Sequence, residues 1–487
     1  MMMRETNLPT SQLANMASFG EECGIFGVYD HSEASALAYH GLFALQHRGQ
    51  ESAGIISYDS SVDRFYQRKD RGLVNRVFKP GDLGVLKGRS AIGHIRYSTT
   101  GEDNIVNIQP VMVDCVKGTI GVAHNGNLTN AAELHAELRS KGAIFQTTLD
   151  TEVILHLIAS SKHKDLYDAL EETLQRIDGA FSLLFITDHS LVAVRDRHGV
   201  RPLVMGRLDD SVVFASETCA LDLVGAKFER EVRPGEMVIV TMKGVESRRF
   251  SEAAAELSRC IFEYIYFSRP DSILFGRSVY EVQKGLGREL ARERPVPADV
   301  VIAIPDSGNA AALGYSRESG LDFEMGLVRN HYIGRTFIQN TQLAREVGVK
   351  IKLNPVRSLI EGKRLIVVDD SLVRGTTSKK IVKMLKAAGA KEVHLRISSP
   401  PYRFPCFYGV DTPSPEHLIA SRMSLKEIEQ YLEVDSLAYL SCEGLVRVVT
   451  GGEPKEGVHF CKACFDGDYR IPVHSLREKG KGALEKK

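Results

Sequence analysis

The sequence predicts two domains of different fold class, an α+β domain followed by an α/β domain with a parallel sheet. In the first, short strand-like runs such as CGIFGVYD and SAGIISYD alternate with turns, which is typical of antiparallel strands. In the second, DVVIAIP (299–305) and RLIVVDD (364–370) are continuous apolar runs bounded by turn residues, as buried parallel strands are. We expect a leader, two domains and a tail over residues 1–22, 23–255, 256–450 and 451–487.

Three helices are predicted within the first domain. Apolar residues recur at helical spacing over 33–46. Asn130 is placed to cap a second helix, with Glu133 at the capping-box position, and a third helix is expected over 151–160. The later runs FSLLFIT and LVAVRD, then PLVMG and VVFAS, predict hairpins of an antiparallel sheet.

The second domain contains a strand–loop–helix–strand unit. RLIVVDD leads into SLVRGTTS and then into the helical run SKKIVKMLKAAG, which stops at Gly389. EVHLRISS follows as another strand. This order implies a doubly wound sheet.

Composition excludes several classes of protein. The 487 residues include 62 basic and 62 acidic ones, so binding of nucleic acid or an acidic membrane surface through bulk charge is not expected. No apolar stretch approaches the ~18 residues of a membrane span. The leader lacks the apolar segment of a secretory signal, so we expect a reducing cytoplasm. There, the eight cysteines are better explained as thiols, catalytic groups or metal ligands than as disulfides.

The run VVDDSLVRGTTS, residues 367–378, is the most specific chemical signal. A strand delivers Asp369 and Asp370 to its carboxyl end, where open α/β sheets bind ligands. Small residues follow and lead into a helix N-terminus, whose N–H groups and dipole favour an anion. A solvated turn would explain either half alone, but the ordered combination favours a phosphate site.

This run resembles the phosphoribosyl pyrophosphate fingerprint of type I phosphoribosyltransferases. The resemblance implies that the two acids hold the ribose hydroxyls or Mg²⁺. Asp306, Ser307 and Gly308 in IPDSG would meet the pyrophosphate and its metal, with Ser307 as a metal ligand. Arg335 in YIGRTFI (332–338) would lie on a mobile loop and neutralise the departing pyrophosphate. The implied substrate-binding residues are Arg335, Asp369, Asp370, Ser371, Arg374, Gly375, Thr376 and Thr377.

Cys23 opens the first domain in EECGIFG. A cysteine in a buried strand is usually a small hydrophobe. Four further segments favour a catalytic role: HRGQESAG (47–54), GHIRYSTTG (93–101), HNGNL (124–128) and DTEV (150–153). Together they resemble the class II glutamine amidotransferases, a branch of the N-terminal-nucleophile hydrolases with an αββα sandwich.

The resemblance assigns roles to five residues. Cys23 would attack the glutamine amide, and Asn125 with the Gly126 N–H would form the oxyanion hole. Arg96 would hold the substrate α-carboxylate and Asp150 its α-amino group, where a surface ion pair would otherwise be the simplest explanation. If the leader is a pro-segment that is removed, the freed α-amine of Cys23 can accept the thiol proton.

The two halves in this order resemble the glutamine phosphoribosylpyrophosphate amidotransferase family, from Cys23 to about Cys464. The implied reaction makes 5-phosphoribosylamine, glutamate and pyrophosphate, the first committed step of purine synthesis, with ammonia channelled between the sites. The resemblance also implies purine nucleotide inhibitors and a homotetramer. Two rivals stay open: another glutaminase fusion, which would not predict VVDDSLVRGTTS, and a catalytically dead nucleotide sensor.

The remaining cysteines include the CxxC pair of Cys461 and Cys464. Spacing alone leaves a zinc site, a redox pair or no metal open. The chain resembles a branch of the family that carries a pro-segment and a [4Fe–4S] cluster, which implies the ligands Cys260, Cys406, Cys461 and Cys464. Cys115, Cys219 and Cys442 are most simply core or surface thiols.

Overall fold

The computed structural model describes residues 23–79, 81–96, 105–254, 256–330, 353–412, 415–452 and 459–473. The predicted leader, the predicted mobile loop with Arg335, and the end of the tail lie outside these ranges. None of the helices within the ranges has the length and apolar character needed to cross a membrane.

The first domain is built on two antiparallel sheets. Its strands are β1 Gly24–Tyr29, β2 Ser52–Asp59, β3 Arg64–Arg71, β4 Ser90–Arg96, β5 Val111–Cys115, β6 Gly118–Leu128, β7 Gly179–Ile186, β8 Ser190–Arg195, β9 Val204–Leu208, β10 Ser211–Ala215, β11 Lys227–Glu231, β12 Glu236–Thr241 and β13 Gly244–Arg249. The seven-stranded sheet has the order β11-β9-β10-β1-β4-β2-β3, and the six-stranded sheet has the order β13-β12-β8-β7-β6-β5.

These sheets pack face to face between two layers of helices. The helices are α1 Ala34–Ala44, α2 Val74–Val77, α3 Ala131–Ser140, α4 Asp150–Ser160, α5 Leu166–Arg176 and α6 Thr218–Val224. Successive strand residues face opposite sides, so Ile25 points to the shared core with Leu184 while Phe26 packs outward against Leu42 of α1. Helices α3, α4 and α5 cover the other sheet. The αββα sandwich is confirmed.

The predicted cap at Asn130 is wrong, although the helix after it forms. Asn130 makes no side-chain capping bond to α3. Its Nδ2 donates to the carbonyl oxygen of Arg176 at 2.9 Å, and its Oδ1 accepts from the N–H of Asp178 at 3.0 Å. The Asn130 side chain therefore binds the loop before β7 and does not cap α3.

The second domain is built around a parallel sheet. Its strands are β14 Arg259–Cys260, β15 Ile273–Leu274, β16 Arg277–Ser278, β17 Val300–Ala303, β18 Leu327–Arg329, β19 Leu353–Pro355, β20 Arg364–Asp369, β21 Glu392–Ile397, β22 Ser436–Tyr439 and β23 Phe460–Cys461. Its helices are α7 Val279–Glu293, α8 Asn309–Ser319, α9 Arg357–Ile360, α10 Thr376–Ala387, α11 Ile419–Arg422, α12 Leu425–Leu432, α13 Cys442–Thr450 and α14 Ala463–Asp466.

The central sheet has the order β17-β20-β21-β22, and all of its pairs are parallel. One face packs on α10 and α12 through residues such as Val367, and the other packs on α7 and α8 through residues such as Val368. Burial on both faces explains why the strands are continuous apolar runs. The parallel-sheet domain predicted from those runs is confirmed.

The tail returns to the junction between the domains. β14 pairs in parallel with β23, which places Cys260 opposite Cys461. A π-helical turn, Glu263–Phe267, follows β14 directly. Phe460, Phe465 and Ile471 of the tail are buried in the same core as this turn. The junction therefore combines segments that are 200 residues apart in the chain.

Two candidate active sites and a cysteine group

Cys23 precedes β1 and is only 6% exposed. Its carbonyl oxygen accepts a hydrogen bond from Arg48 Nε at 3.1 Å. Gly24 lies opposite Ile95 in the antiparallel pairing of β1 with β4. The register therefore places Cys23 level with Arg96, so the predicted nucleophile and a predicted substrate-binding residue lie at the same end of the sheet.

Asn125 and Gly126 reach this end from the other sheet. His94 Nε2 of β4 donates to the carbonyl oxygen of His124 of β6 at 3.1 Å, which joins the two sheets one residue before Asn125. Asn125 is 1% exposed, and its side-chain nitrogen and oxygen find no hydrogen-bond partner among the described residues. A buried amide without a partner costs free energy. Its N–H group is available for a developing oxyanion.

Gly126 is required by its surroundings. Its φ is +148°, and a Cβ there would lie 2.0 Å from the carbonyl oxygen of Ala180 in the neighbouring strand. Only glycine fits so close an approach. The backbone at this position of HNGNL is therefore held by packing on both sides.

Arg96 and Asp150 are connected through Asn107. Arg96 Nη1 donates to the carbonyl oxygen of Asn107 at 2.9 Å. The side chain of Asn107 donates to Thr148 Oγ1 at 3.0 Å and accepts from the Thr148 N–H at 3.1 Å. Asp150 opens α4 two residues later. One asparagine therefore positions both residues predicted to bind the glutamine backbone groups.

The carboxylate of Asp150 is held in its charged form. Burial alone would raise its pKa, but the His124 ring and the N–H groups of Leu128 and Thr151 outweigh burial and lower the pKa. Asp150 Oδ2 accepts from the Leu128 N–H at 2.9 Å. An ionised, oriented carboxylate suits a substrate ammonium group.

Asp369 and Asp370 lie at the carboxyl end of β20. Burial raises the pKa of Asp369 well above its ordinary value, and the neighbouring carboxylate of Asp370 raises it further. Burial also raises the pKa of Asp370, against hydroxyl hydrogen bonds from Ser307 and Ser371. Two adjacent, buried carboxyl groups form an oxygen donor set that suits a divalent cation or sugar hydroxyls.

The loop into α10 is shaped by Gly375. This glycine has a φ of +75°, and a Cβ would lie 2.8 Å from Ile419 Cδ1. Thr376 and Thr377 open α10 and are exposed. No side-chain capping bond is found at this helix start within the described chain. The first N–H groups of α10 can therefore meet an anion, as predicted.

The turn after β17 packs against β20 beside the two acids. A Cβ on Gly308 would lie 2.6 Å from the carbonyl oxygen of Val368, so glycine permits the contact. The turn brings the Ser307 hydroxyl to Asp370. Asp306 instead accepts from Arg329 Nη1 at 2.6 Å. Of the predicted IPDSG residues, Ser307 therefore joins the acid pair, while Asp306 forms an ion pair in this structure.

Residues 406–411, here called the bridging segment, connect the two sites. Asn127 Nδ2 of β6 donates to the carbonyl oxygen of Phe407 at 2.9 Å. Gly409, with φ +101°, packs so closely on Gly126 that a Cβ would lie 2.8 Å from its carbonyl carbon.

At the end of this segment lies Asp411, between the two domains. Burial raises the pKa of Asp411 to about 6, the charge of Glu51 raises it further, and Arg374 of the phosphate loop acts in the opposite direction. Glu51 belongs to the HRGQESAG motif of the first domain. The bridging segment therefore runs from the oxyanion strand to the predicted phosphate loop.

The four predicted cluster ligands come together at the junction. All eight cysteines of the chain are free thiols. Burial, with the charges of neighbouring cysteines adding, raises the pKa of Cys260 and of Cys461 to about 12. Burial and the same neighbours raise the pKa of Cys464 further, and Cys406 is among those neighbours. Across the described ranges, no three His, Cys, Asp or Glu side chains are gathered closely enough for a single metal ion.

Sequence reasoning missed the residues that act through backbone groups or across the junction. Arg48 lies inside the quoted HRGQESAG motif, and Asp411 lies five residues after Cys406. Asn107 lies outside every quoted motif. Nothing in the local pattern shows that Arg48 contacts the carbonyl group of Cys23 or that Asn107 contacts Arg96.

Comparisons with known proteins match both halves of the chain. A family model described as "Glutamine amidotransferase domain" matches residues 94–223. "Amidophosphoribosyltransferase 2, chloroplastic" from Arabidopsis thaliana is 54% identical over 463 residues, 95% of this chain and 81% of that protein. "Amidophosphoribosyltransferase" from Bacillus subtilis is 47% identical over 463 residues, 95% of this chain and 97% of that protein.

A solved structure gives the same match at the level of the fold. It is the glutamine phosphoribosylpyrophosphate amidotransferase from B. subtilis complexed with ADP and GMP. The TM-score is 0.88 at 47% sequence identity, over 93% of this chain and 98% of that one. The two-domain architecture described above is therefore shared with a solved enzyme.

Proposed function

The chain belongs to the amidophosphoribosyltransferase family, and we infer that it converts glutamine, phosphoribosyl pyrophosphate and water to 5-phosphoribosylamine, glutamate and pyrophosphate. This reaction is the first committed step of purine synthesis. The observation that carries the inference is the bridging segment, which contacts Gly126 and Asn127 at one end and approaches Arg374 at the other. Ammonia released in the first domain needs a route to the second, and this segment contacts the predicted oxyanion strand and approaches the predicted phosphate loop.

In the first domain, Cys23 Sγ attacks the side-chain amide carbon of glutamine. Asn125 Nδ2 and the Gly126 N–H donate to the oxyanion, and the buried, unpartnered amide of Asn125 supports that role. Arg96 and Asp150 hold the α-carboxylate and α-amino groups of the substrate. Ammonia leaves, and water then hydrolyses the thioester to glutamate and the free thiol.

The thiol proton needs an acceptor, and the α-amine of Cys23 can serve if residues 1–22 are removed. An α-amine has a pKa of about 7.7–8.0 and a free thiol one of about 8.5, so the transfer is nearly balanced. Intact-mass spectrometry of fully glutamine-active protein is expected to show a chain that begins at Cys23. An intact leader on such protein would contradict this proposal.

In the second domain, ammonia attacks C1 of the ribose and pyrophosphate leaves. Arg374, Gly375 and the start of α10 hold the 5′-phosphate, with Ser371, Thr376 and Thr377 as hydroxyl donors. Asp369 and Asp370 orient the ribose hydroxyls, and with Ser307 they are suited to hold Mg²⁺. Bound Mg²⁺ supplies positive charge to the departing pyrophosphate. Arg335, outside the described residues, is proposed to add a second cation there.

The direct test is pyrophosphate release, measured with each substrate omitted in turn. Release is expected only when phosphoribosyl pyrophosphate is present together with glutamine or ammonia. Glutamate formation that depends on another sugar phosphate, without pyrophosphate release, would favour a different glutaminase fusion. Absence of any release would favour a nucleotide sensor.

We propose that Cys260, Cys406, Cys461 and Cys464 hold a [4Fe–4S] cluster. Burial, with the charges of neighbouring cysteines adding, raises the pKa of Cys260, Cys461 and Cys464, and Cys406 is one of those neighbours. A cationic centre would stabilise the thiolate forms. Such a cluster would crosslink the junction, the bridging segment and the tail. Iron and sulfide in anaerobically purified protein are expected, whereas zinc without iron would contradict the proposal.

We further propose that purine nucleotides inhibit the enzyme and that it forms a homotetramer. The B. subtilis structure, a complex with ADP and GMP, supports nucleotide binding. Pyrophosphate release titrated with purine nucleotides tests the first proposal, and light scattering of the intact protein tests the second. Activity unaffected by any purine nucleotide, or a monomer in solution, would contradict the respective proposal.

A further inference from the structure

Four charged side chains are completely buried where the two domains meet, and the chemistry above uses none of them. Arg48, Glu217, Glu263 and Arg201 all have 0% of the side chain exposed. Burying a charge is costly unless it is paired and hydrogen-bonded. This group, here called the junction network, therefore needs an explanation.

Arg48 is the centre of the junction network and also contacts the nucleophile. Its Nε donates to the carbonyl oxygen of Cys23 at 3.1 Å. Its Nη1 and Nη2 donate to the two carboxylate oxygens of Glu263 at 2.9 and 2.8 Å. Nη1 also donates to Glu217 Oε1 at 2.7 Å. The bidentate pair fixes the plane of the guanidinium group, and that plane determines where Nε points.

Glu263 comes from the far side of the junction. It opens the π-helical turn that follows β14, 215 residues from Arg48 in the chain. Ser268 Oγ, at the end of that turn, donates to Glu263 Oε2 at 2.6 Å. A residue of its own segment therefore orients the Glu263 carboxylate that pairs with Arg48.

Arg201 extends the network to the bridging segment. Its Nη1 lies 3.7 Å from Glu263 Oε1, and its Nε donates to the carbonyl oxygen of Tyr408 at 2.9 Å. A path of hydrogen bonds and one ion pair thus runs from Tyr408 through Arg201, Glu263 and Arg48 to Cys23. It joins the segment that covers the oxyanion strand to the residue that carries the nucleophile.

Cys23 is restrained by the carbonyl contact with Arg48. It precedes the first strand residue of β1, so the carbonyl contact with Arg48 holds the residue at the strand entrance. A nucleophile must stay within a fraction of an ångström of its productive position, because a displacement of ~1 Å can cost about 100-fold in rate. The orientation of Arg48 therefore matters to the attack step.

We propose that Glu263 is a positioning residue of the glutaminase site, contributed by the segment after β14 and acting on Cys23 through Arg48. The proposal rests on the proposed role of Cys23 as nucleophile. It means that the glutaminase site is completed by a residue outside its own sheets. Loosening of the junction would therefore reduce glutamine use while leaving ammonia use intact.

The test compares Glu263→Gln with a matched control in the intact protein. Glutamine replaces the carboxylate with a group of similar size that cannot form the charged bidentate pair. We expect the glutamine kcat to fall about 10- to 100-fold with glutamine KM within about threefold, since attack is misaligned but binding is not. The ammonia-dependent rate should stay within about twofold.

Glu236→Gln is the control. Glu236 is also buried, and it accepts a bidentate pair from Arg230 at 2.8 and 2.9 Å, but it lies in β12, outside both sites. Because Arg230 is 29% exposed, the variant should lose less stability than Glu263→Gln, and it should keep both activities within about twofold. An equal loss of the two activities in folded Glu263→Gln, or an unchanged glutamine kcat, would overturn the proposal.

Ser268→Ala provides a milder variant in case Glu263→Gln does not fold. It removes the hydroxyl that orients Glu263 and keeps every charge. We expect the glutamine kcat to fall about two- to fivefold while the glutamine KM and the ammonia-dependent rate stay nearly constant. Alkylation of Cys23 by an electrophilic glutamine analogue should also slow. Unchanged alkylation would overturn the proposal. Wild-type protein without any glutamine-dependent activity would instead contradict the proposed function.

Discussion

The glutamine site and the phosphoribosyl site differ in how their charges are compensated. At the glutamine site, Arg96 donates to Asn107, and Asp150 is held ionised by His124 and backbone N–H groups. At the phosphoribosyl site, two adjacent carboxylates are buried side by side, and burial and their mutual repulsion raise the pKa of Asp369. At the first site, protein groups compensate the charges of the binding residues. At the second site, the two carboxylates need positive charge from bound ligands.

This difference predicts different responses to mutation. Removing one residue of the glutamine site should affect one kinetic parameter for one substrate, because the remaining contacts still hold the site. Removing a carboxylate of the phosphoribosyl site should disable transfer with either nitrogen donor, because both donors use the same C1 centre. The predictions below test that contrast in order of decreasing effect.

The largest effect is expected for the double variant Asp369→Asn/Asp370→Asn. Without both carboxylates, the ribose and the proposed Mg²⁺ would lose these oxygen ligands, and pyrophosphate release should fall more than about 1,000-fold with glutamine and with ammonia alike. Alkylation of Cys23 by an electrophilic glutamine analogue should continue, since the first domain is intact. Loss of alkylation in a folded variant would show that the two sites are not organised independently.

Asn125→Ala should come next. The substitution removes a side-chain donor to the oxyanion, and loss of one such donor costs about 100- to 1,000-fold in kcat. The ammonia-dependent rate should not change. Asn130→Ala is the matched control, because Asn130 follows the same strand and its side chain hydrogen-bonds to the backbone of Arg176 and Asp178. A similar kcat for the two variants would argue against the oxyanion role.

Asn107→Ala should act on binding. Without its side chain, the Thr148 segment that leads to Asp150 loses two hydrogen bonds. We expect glutamine KM to rise about 10-fold with kcat within about threefold, because loss of uniform binding changes KM alone. Steady-state kinetics with glutamine as the varied substrate checks this. A fall in kcat at constant KM would contradict the binding role.

The smallest effect concerns Asp411, between the two regions. Its pKa of about 6 in the folded protein exceeds the ordinary value of about 3.9. The folded state therefore binds more protons between these values, so the stability that Asp411 contributes decreases as pH rises from about 4 to about 6. Asp411→Asn should lose this pH dependence. Denaturant unfolding of both proteins at pH 4.5 and 6.5 checks it, and parallel pH profiles would contradict it.

Local patterns predicted the elements that depend on neighbouring residues. The apolar runs before Asp369 and the small residues after it form β20, the phosphate loop and α10 as expected. Residues whose partners are distant could not be predicted in this way. The side chain of Asn130 has a tertiary partner in place of a cap, and Arg48 pairs with Glu263 across 215 residues.

The same distinction explains the cysteines. The CxxC spacing marks Cys461 and Cys464 from the sequence alone. Cys260 and Cys406 are distant in the chain and required the family resemblance. In the structure, Cys260 lies opposite Cys461 because β14 and β23 pair in parallel, a long-range pairing that no local pattern reports.

The central claim is that one chain carries two separable sites and that ammonia passes from the glutamine site to the phosphoribosyl site. Cys23→Ala tests this claim most directly. Pyrophosphate release from phosphoribosyl pyrophosphate should be measured with glutamine and then with ammonium salt, on protein shown to be folded by circular dichroism. We predict that glutamine-dependent release disappears while ammonia-dependent release stays within about twofold of wild type. Retention of glutamine-dependent release, or loss of both activities in folded protein, would contradict the account.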